Sequence, residues 1–190
     1  MVHRVKYRFS AVLLASLFWA VNCFGEMEWA FHPSEHTNDG ASAAYVTAPL
    51  DGGQLRYVLP SGWCFSGDRF LPTGKNEADA YIDAARIQSP SPWTPDRAKA
   101  VRDWIIAQKA AKKATNVACI SEGELPFKIE GQSAYEFTLT YGYYGQRFTE
   151  AVVFVEHGQV QLQIHLGALK DDFAELHKEF VATLFSVNGF

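Results

Sequence analysis

Ser133-Ala134-Tyr135-Glu136-Phe137-Thr138-Leu139-Thr140-Tyr141-Gly142-Tyr143-Tyr144-Gly145 is a run in which Tyr135, Phe137, Leu139 and Tyr141 alternate with Ala134, Glu136, Thr138 and Thr140. A period of two puts one set of side chains on each side of a strand, so the run reads as a strand with one apolar and one polar face. Gly142 to Gly145 reads as a turn, Gln146 to Glu156 as the next strand, and His157-Gly158 as a second turn. Beyond it Val160, Leu162, Ile164 and Leu166 alternate with Gln159, Gln161, Gln163 and His165. Three strands joined by tight turns make an antiparallel meander, and its apolar face needs a cover.

Two helices supply that cover on either side of the meander in sequence. Downstream, Phe173, Leu176, Phe180 and Leu184 recur three or four residues apart between Asp171 and Ser186, an amphipathic stripe. Upstream, Thr94, Pro95 and Asp96 form a helix start: an N-cap hydroxyl, a proline at the first helical position and an acid in the positive first turn. Ala98, Val101, Trp104, Ile105 and Gln108 then share one side, and Lys109, Lys112 and Lys113 crowd the negative end. A strand around Val117 to Ile120 is expected to follow.

Before this helix, Ser89-Pro90-Ser91-Pro92 ends a strand running from Ala78 to Ile87, since paired prolines fit neither helix nor central strand. Ala43 to Pro49 and Leu55 to Leu59 flank Asp51-Gly52-Gly53 and read as a first hairpin. Trp63-Cys64-Phe65 resumes the apolar pattern before a loop around Gly67 and Gly74, and Glu26 to Gly40 reads as a loop-rich lead-in. The expected organisation is residues 1–25 as a signal peptide, 26–54 as a lead-in with the first strand, and 55–190 as one α+β domain. Its fold class is a central antiparallel sheet with helices packed on it.

The run Leu55-Arg56-Tyr57-Val58-Leu59-Pro60-Ser61-Gly62-Trp63, the helix from Thr94, the long hairpins from Ser133 to Leu166 and the closing helix ending Leu184-Phe185-Ser186 resemble the family of small α/β/α sandwiches that includes PsbP, Mog1 and DcrB. The resemblance covers roughly Leu55 to Phe190. It implies a central antiparallel sheet with helices on its faces, and members that act by binding or by assisting assembly more than by catalysis. It carries over no catalytic residue, and the lead-in departs from it.

Arg4, Lys6 and Arg8 precede an apolar run from Ala11 to Val21, a basic n-region and an h-region shorter than the roughly 20 residues a bilayer-spanning helix needs. Cys23-Phe24-Gly25 places small residues before a cut, so export to periplasm or outside the cell with Glu26 as the new N-terminus is expected. Lipidation at Cys23 is the alternative, against which Asn22 stands where a lipobox has a small residue. Removal of the leader leaves 14 Lys+Arg against 21 Asp+Glu, a net charge of −7. That charge repels phosphate backbones, which argues against nucleic acid as a partner.

Two cysteines remain, Cys64 and Cys119, and an oxidising compartment favours a disulfide between them, the alternative being two buried thiols. His32-Pro33-Ser34-Glu35-His36 matches the H-x-x-E-H string of inverted zinc peptidases, but Pro33 and the breakers Thr37 to Gly40 deny it the helix that chemistry requires, so no metal is expected. A thiol nucleophile would need His157 or His165 beside Cys64 or Cys119. Gly-x-Ser-x-Gly, Gly-x-Gly-x-x-Gly, P-loop and Ser-x-x-Lys strings are absent and no cofactor is expected. Asp171 and Asp172 suit a helix start, and Glu122 and Glu124 a solvated turn.

Glu136, Thr138 and Thr140 on one strand and Gln161, Gln163 and His165 on another are expected to line one shallow polar surface, or else a merely solvated sheet. Tyr141, Tyr143 and Tyr144 at the glycine-flanked turn present rings suited to stacking on sugars or anchoring a protein, unless they fold back onto the sheet. The reading is a non-catalytic exported domain that binds a protein or small ligand; the alternative is a hydrolase whose residues converge only in three dimensions.

Overall fold

Alternation along a strand becomes structure only when each face finds a cover, and this chain covers both. The computed structural model describes residues 32–38, 41–50, 53–66, 69–76, 79–88, 93–157 and 160–187. The leader with Cys23, the Asp51-Gly52 turn, Gly67, Ser89 to Pro92 and Gly158 lie outside them. The strands are β1 (His32–Asn38), β2 (Ala41–Leu50), β3 (Gly53–Val58), β4 (Trp63–Ser66), β5 (Arg69–Pro72), β6 (Ala80–Gln88), β7 (Thr115–Glu124), β8 (Ala134–Tyr143), β9 (Gln146–His157) and β10 (Val160–Leu169). The helices are α1 (Pro95–Ala111) and α2 (Phe173–Ser186).

β1, β2 and β3 form a three-stranded sheet, and the other strands a seven-stranded one in the order β4-β5-β6-β10-β9-β8-β7. All pairings are antiparallel. The expected meander is β8-β9-β10, and β7 extends it by one strand. The lead-in differs from expectation: His32 to Asn38 pairs with Ala41 to Thr47 as a strand, despite its turn-forming composition. Ladder hydrogen bonds override weak local propensity. β3 crosses the junction expected at residue 54, and β5 occupies part of what the sequence suggests is loop.

The register gives each face its own core. Phe137 faces Val152 on β9, and Tyr135 faces Phe154. With Leu139 they pack under Ala98, Val101 and Ile105 of α1. Leu162, Ile164 and Leu166 of β10 face Val155, Val153 and Ala151, the alternate residues of β9. This set packs under Leu176, Phe180 and Leu184 of α2. The apolar sides of β8 and β10 therefore look in opposite directions, and β9, apolar on both, joins two cores. The result is an α/β/α sandwich rather than a sheet with one wet face.

Local signals set the ends of the elements. Thr94 caps α1, its hydroxyl accepting from Arg97 N at 3.1 Å. Pro60-Ser61-Gly62-Trp63 closes a turn through Trp63 N and Pro60 O at 3.1 Å, with Gly62 at φ +82, where a side chain would be strained. Trp63 then donates its indole N–H to Glu179 of α2 at 2.6 Å, fastening the short edge strand β4 to the closing helix. Asp172 precedes α2 without a side-chain cap bond and instead pairs with Lys75 at 2.5 Å.

The expected disulfide is corrected by the strand order. β4 and β7 are the two edges of the large sheet, six strand spacings apart. At about 4.8 Å per spacing, this separation far exceeds the roughly 7 Å between Cα atoms that a bridge tolerates. Both thiols are free: Cys64 is exposed, and Cys119 lies partly buried with its thiol 3.2 Å from the Ser121 carbonyl. Thiol titration of the denatured protein without reductant is expected to find both Cys64 and Cys119 reactive; a protein with neither would refute the strand order.

Candidate functional site

The polar residues singled out on β8 and β10 do not meet. Glu136 is opposite Val153 on β9, whereas Gln163 is opposite Phe154. Neighbouring residues of a strand point to opposite sides, so Glu136, Thr138 and Thr140 lie on the α2 side, and Gln161, Gln163 and His165 on the α1 side. The single polar surface is thereby corrected to two separate groups, because the register on β9 turns the two sets to opposite sides of the sheet.

The α1-side group is largely interior. Gln161 and Gln163 are buried, and the Gln161 amide donates to Glu156 at 3.2 Å. His165 Nδ1 lies 3.0 Å from the carboxylate of Glu150, a side chain only 1 % exposed. Lys109, from the last turn of α1, pairs with the other Glu150 oxygen, and its Nζ sits 4.8 Å from the Tyr141 ring centre. Burial alone would raise the Glu150 pKa, but the His165 hydrogen bond and the Lys109 charge prevail and hold it down at about 2. The cluster ties α1 to the sheet. Tyr141 is buried and stacks on Phe148, so it belongs to the packing and not to a surface.

The α2-side group is open. α2 packs on β9 and β10, and it reaches β8 where His177 Nε2 meets Glu136 at 3.1 Å. Thr138 donates to the other Glu136 oxygen at 3.0 Å, and Phe173 stacks on His177. Glu136, Thr138 and Thr140 are each half-buried, and Ala118, Ile120 and Ser121 beside them on β7 are exposed. On β7 the strip is bordered by the small side chains of Ala118 and Ser121 and one exposed isoleucine, Ile120.

At the end of β8 the turn tightens to two residues, Tyr144 at φ +46 and Gly145 at φ +79, between the paired Tyr143 and Gln146. This is the geometry of a type I′ hairpin. The Tyr144 ring is 89 % exposed and meets Tyr143 edge to face at 4.3 Å between centres. The tip thus holds the Tyr144 ring out, not folded back, while Tyr143 is half-buried.

A cleft of about 520 Å³, unforeseen from sequence, opens between the start of α1 and β7-β8; its lining includes Trp93, Pro95, Tyr135, Glu122, Glu124 and Glu156. Trp93 stacks on Tyr135 at 4.5 Å, and the Arg97 guanidinium lies 4.1 Å from the Trp93 ring centre. Arg97 pairs with Glu156, and Arg102 with Glu122 at 2.9 Å. Burial lowers the Arg97 pKa, and Glu156 works against that. Glu122 and Glu124 belong to strand β7 rather than to the solvated turn expected. Their spacing of two was the available signal: in a strand it aims both carboxylates to one side.

His32 to His36 lies in β1, where four residues span about 13 Å instead of one helical turn, so the H-x-x-E-H geometry is not formed. Cys119 and His165 sit on β7 and β10, three strand spacings apart, and Cys64 on β4 is equally far from β10. Neither can pair with the His165 imidazole. Burial and the nearby Glu122 raise the Cys119 pKa, away from a thiolate. Among the described residues no group of three or more His, Cys, Asp or Glu is placed to hold a metal ion, and no helix is long and apolar enough to cross a membrane.

No protein-family model matches the chain, and no curated protein matches it. Solved structures do. LpqN of Mycobacterium tuberculosis, described as involved in cell envelope biogenesis, is 15 % identical with a TM-score of 0.54, over 86 % of this chain and 92 % of that one. The Ran-binding protein Mog1p of Saccharomyces cerevisiae is 8 % identical with a TM-score of 0.50, over 84 % and 96 %. Cyanobacterial PsbP from Synechocystis is 16 % identical with a TM-score of 0.48, over 88 % and 97 %. With an antiparallel sheet between two helical layers, and with LpqN and Mog1p as structural neighbours, the chain has the Mog1-like α+β fold.

Proposed function

We propose that this chain is a non-catalytic binding domain of an exported protein, and that it holds a protein partner through Tyr144 at the β8-β9 turn and the strip Glu136, Thr138 and Thr140 on the α2 side of β8. The observation that carries this reading is Tyr144. Its backbone is left-handed, at φ +46, where glycine or asparagine is at ease and a bulky residue costs on the order of 1 kcal/mol. Its ring, 89 % exposed, returns little of that through packing. A side chain kept against local stability and held in water suits an anchor for a partner, since rigid aromatic rings dominate binding energy where they become buried.

The strip supports the same reading: beyond the His177–Glu136 contact it is polar and half-exposed, bordered by exposed Ala118, Ile120 and Ser121 of β7. The fold is shared with a Ran-binding protein, which supports binding at the level of class. Export rests on the basic start, the apolar run Ala11 to Val21 and the small residues ending at Gly25.

The test compares baits in capture from envelope extract. Tyr144→Gly is expected to raise the unfolding midpoint slightly, by about 1 kcal/mol of stability, while reducing capture of the partner. Thr140→Arg, placed on the strip, is expected to abolish capture with the fold intact by circular dichroism. A partner held equally by the unaltered protein and by both variants would overturn the reading.

A further inference from the structure

β7 pairs with β8 alone, so it forms one free edge of the large sheet among the described residues. Its first part is irregular, with register shifts between Thr115 and Ala118 and between Cys119 and Ser121. Bulges of this kind spoil an edge as a template for another strand. From Ser121 to Glu124 the register is regular, each residue facing its partner from Thr138 to Tyr135. The regular part of the edge is the part that borders the cleft, because Glu122 and Glu124 belong to both.

The charges of the cleft are unequal. Glu122 and Glu156 are matched by Arg102 and Arg97. Glu124, exposed on the same side of β7 as Glu122, has no cationic partner among the described residues. The α1 N-terminus would draw an anion, but two of its N–H groups are already engaged, Arg97 N by the Thr94 hydroxyl at 3.1 Å and Ala98 N by the Thr94 carbonyl at 2.9 Å, and Asp96 adds a carboxylate to its first turn. The free charge at this place is therefore negative, beside the aromatic wall of Trp93 and Tyr135.

We propose that the β7 edge over Ser121–Glu124 accepts an extended, basic segment of a partner protein as an added strand, with a lysine or arginine side chain of that segment entering the cleft beside Glu124. An added strand gains affinity from main-chain hydrogen bonds and specificity from pockets that take alternate side chains. Opposite charges facing each other across a strand pair reinforce the register. This surface is distinct from the Tyr144 tip and meets the β8 strip only where Ser121 pairs with Thr138, and the inference does not depend on either.

The test is fluorescence anisotropy of a dye-labelled peptide of alternating lysine and valine, titrated with the full protein. Saturable binding is expected, about fivefold weaker for Glu124→Gln and absent for the same peptide with glutamate in place of lysine. N-methylation of alternate peptide amides, which removes strand hydrogen bonds and keeps the charge, is expected to weaken binding about tenfold. Tyr144→Gly is expected to leave this binding unchanged. Equal binding by the N-methylated peptide, no response to Glu124→Gln, dependence on Tyr144, or no saturable binding would each overturn the proposal.

Discussion

Phe180→Ala is expected to lower the stability of the protein by about 3–5 kcal/mol, read as a shift of the urea midpoint with an unchanged slope. Phe180 is fully buried, on the α2 stripe between Leu176 and Leu184, and its cluster includes Val153, Val155, Ile164 and Leu166 from the floor of the sheet. The ring therefore joins the closing helix to both β9 and β10, and truncation leaves a cavity that two stiff strands cannot collapse to fill. Trp63 and Glu179 provide a second fastening of α2 that Phe180→Ala leaves in place, so the helix should be retained. A variant with the original midpoint would show that α2 does not pack on the sheet as described.

Glu150→Gln is expected to destabilise by a comparable amount, about 3–5 kcal/mol, because it leaves Lys109 and His165 facing a neutral amide in the interior. The pH dependence supplies a second readout. Burial opposes the charge of Glu150, yet its partners hold the folded pKa at about 2, below the ordinary 4.5. A depressed carboxylate contributes stability above its unfolded value and loses it as pH falls through the folded one. The contribution should be complete above about pH 5 and vanish toward pH 2, with a size on the order of 3 kcal/mol. In Glu150→Gln that part of the acid sensitivity should be missing. If unaltered protein and variant lose stability in parallel between pH 5 and pH 2.5, Glu150 is not the buried, paired carboxylate described.

These two residues also divide what was legible from what was not. Phe180 follows from spacing: residues three or four apart form a stripe in any helix, and an apolar stripe must be covered. Glu150 offers no such signal. It stands in a strand between Thr149 and Ala151, and its charge is tolerable only because the last turn of α1 brings Lys109 above it and β10 brings His165 beside it. The same contrast holds at the surface. The turn at Gly142 to Gly145 was readable from its glycines, but the left-handed backbone of Tyr144 belongs to the two-residue loop that the register of β8 on β9 imposes.

The amino-acid sequence alone determined the elements: the capped α1, the amphipathic α2, the meander β8-β9-β10 and the α+β class, because periodicity and capping act over a few residues. Tertiary structure alone decided which faces those elements share. Parity along β9 turns the apolar sides of β8 and β10 to opposite helices, so the polar residues of the two strands separate. Strand order sends Cys64 and Cys119 to opposite edges and brings the lead-in His32–Asn38 into a ladder. Hydrogen bonding between strands distant in sequence has no local code, and the cleft beside Glu124 exists only where α1, β7 and β8 meet.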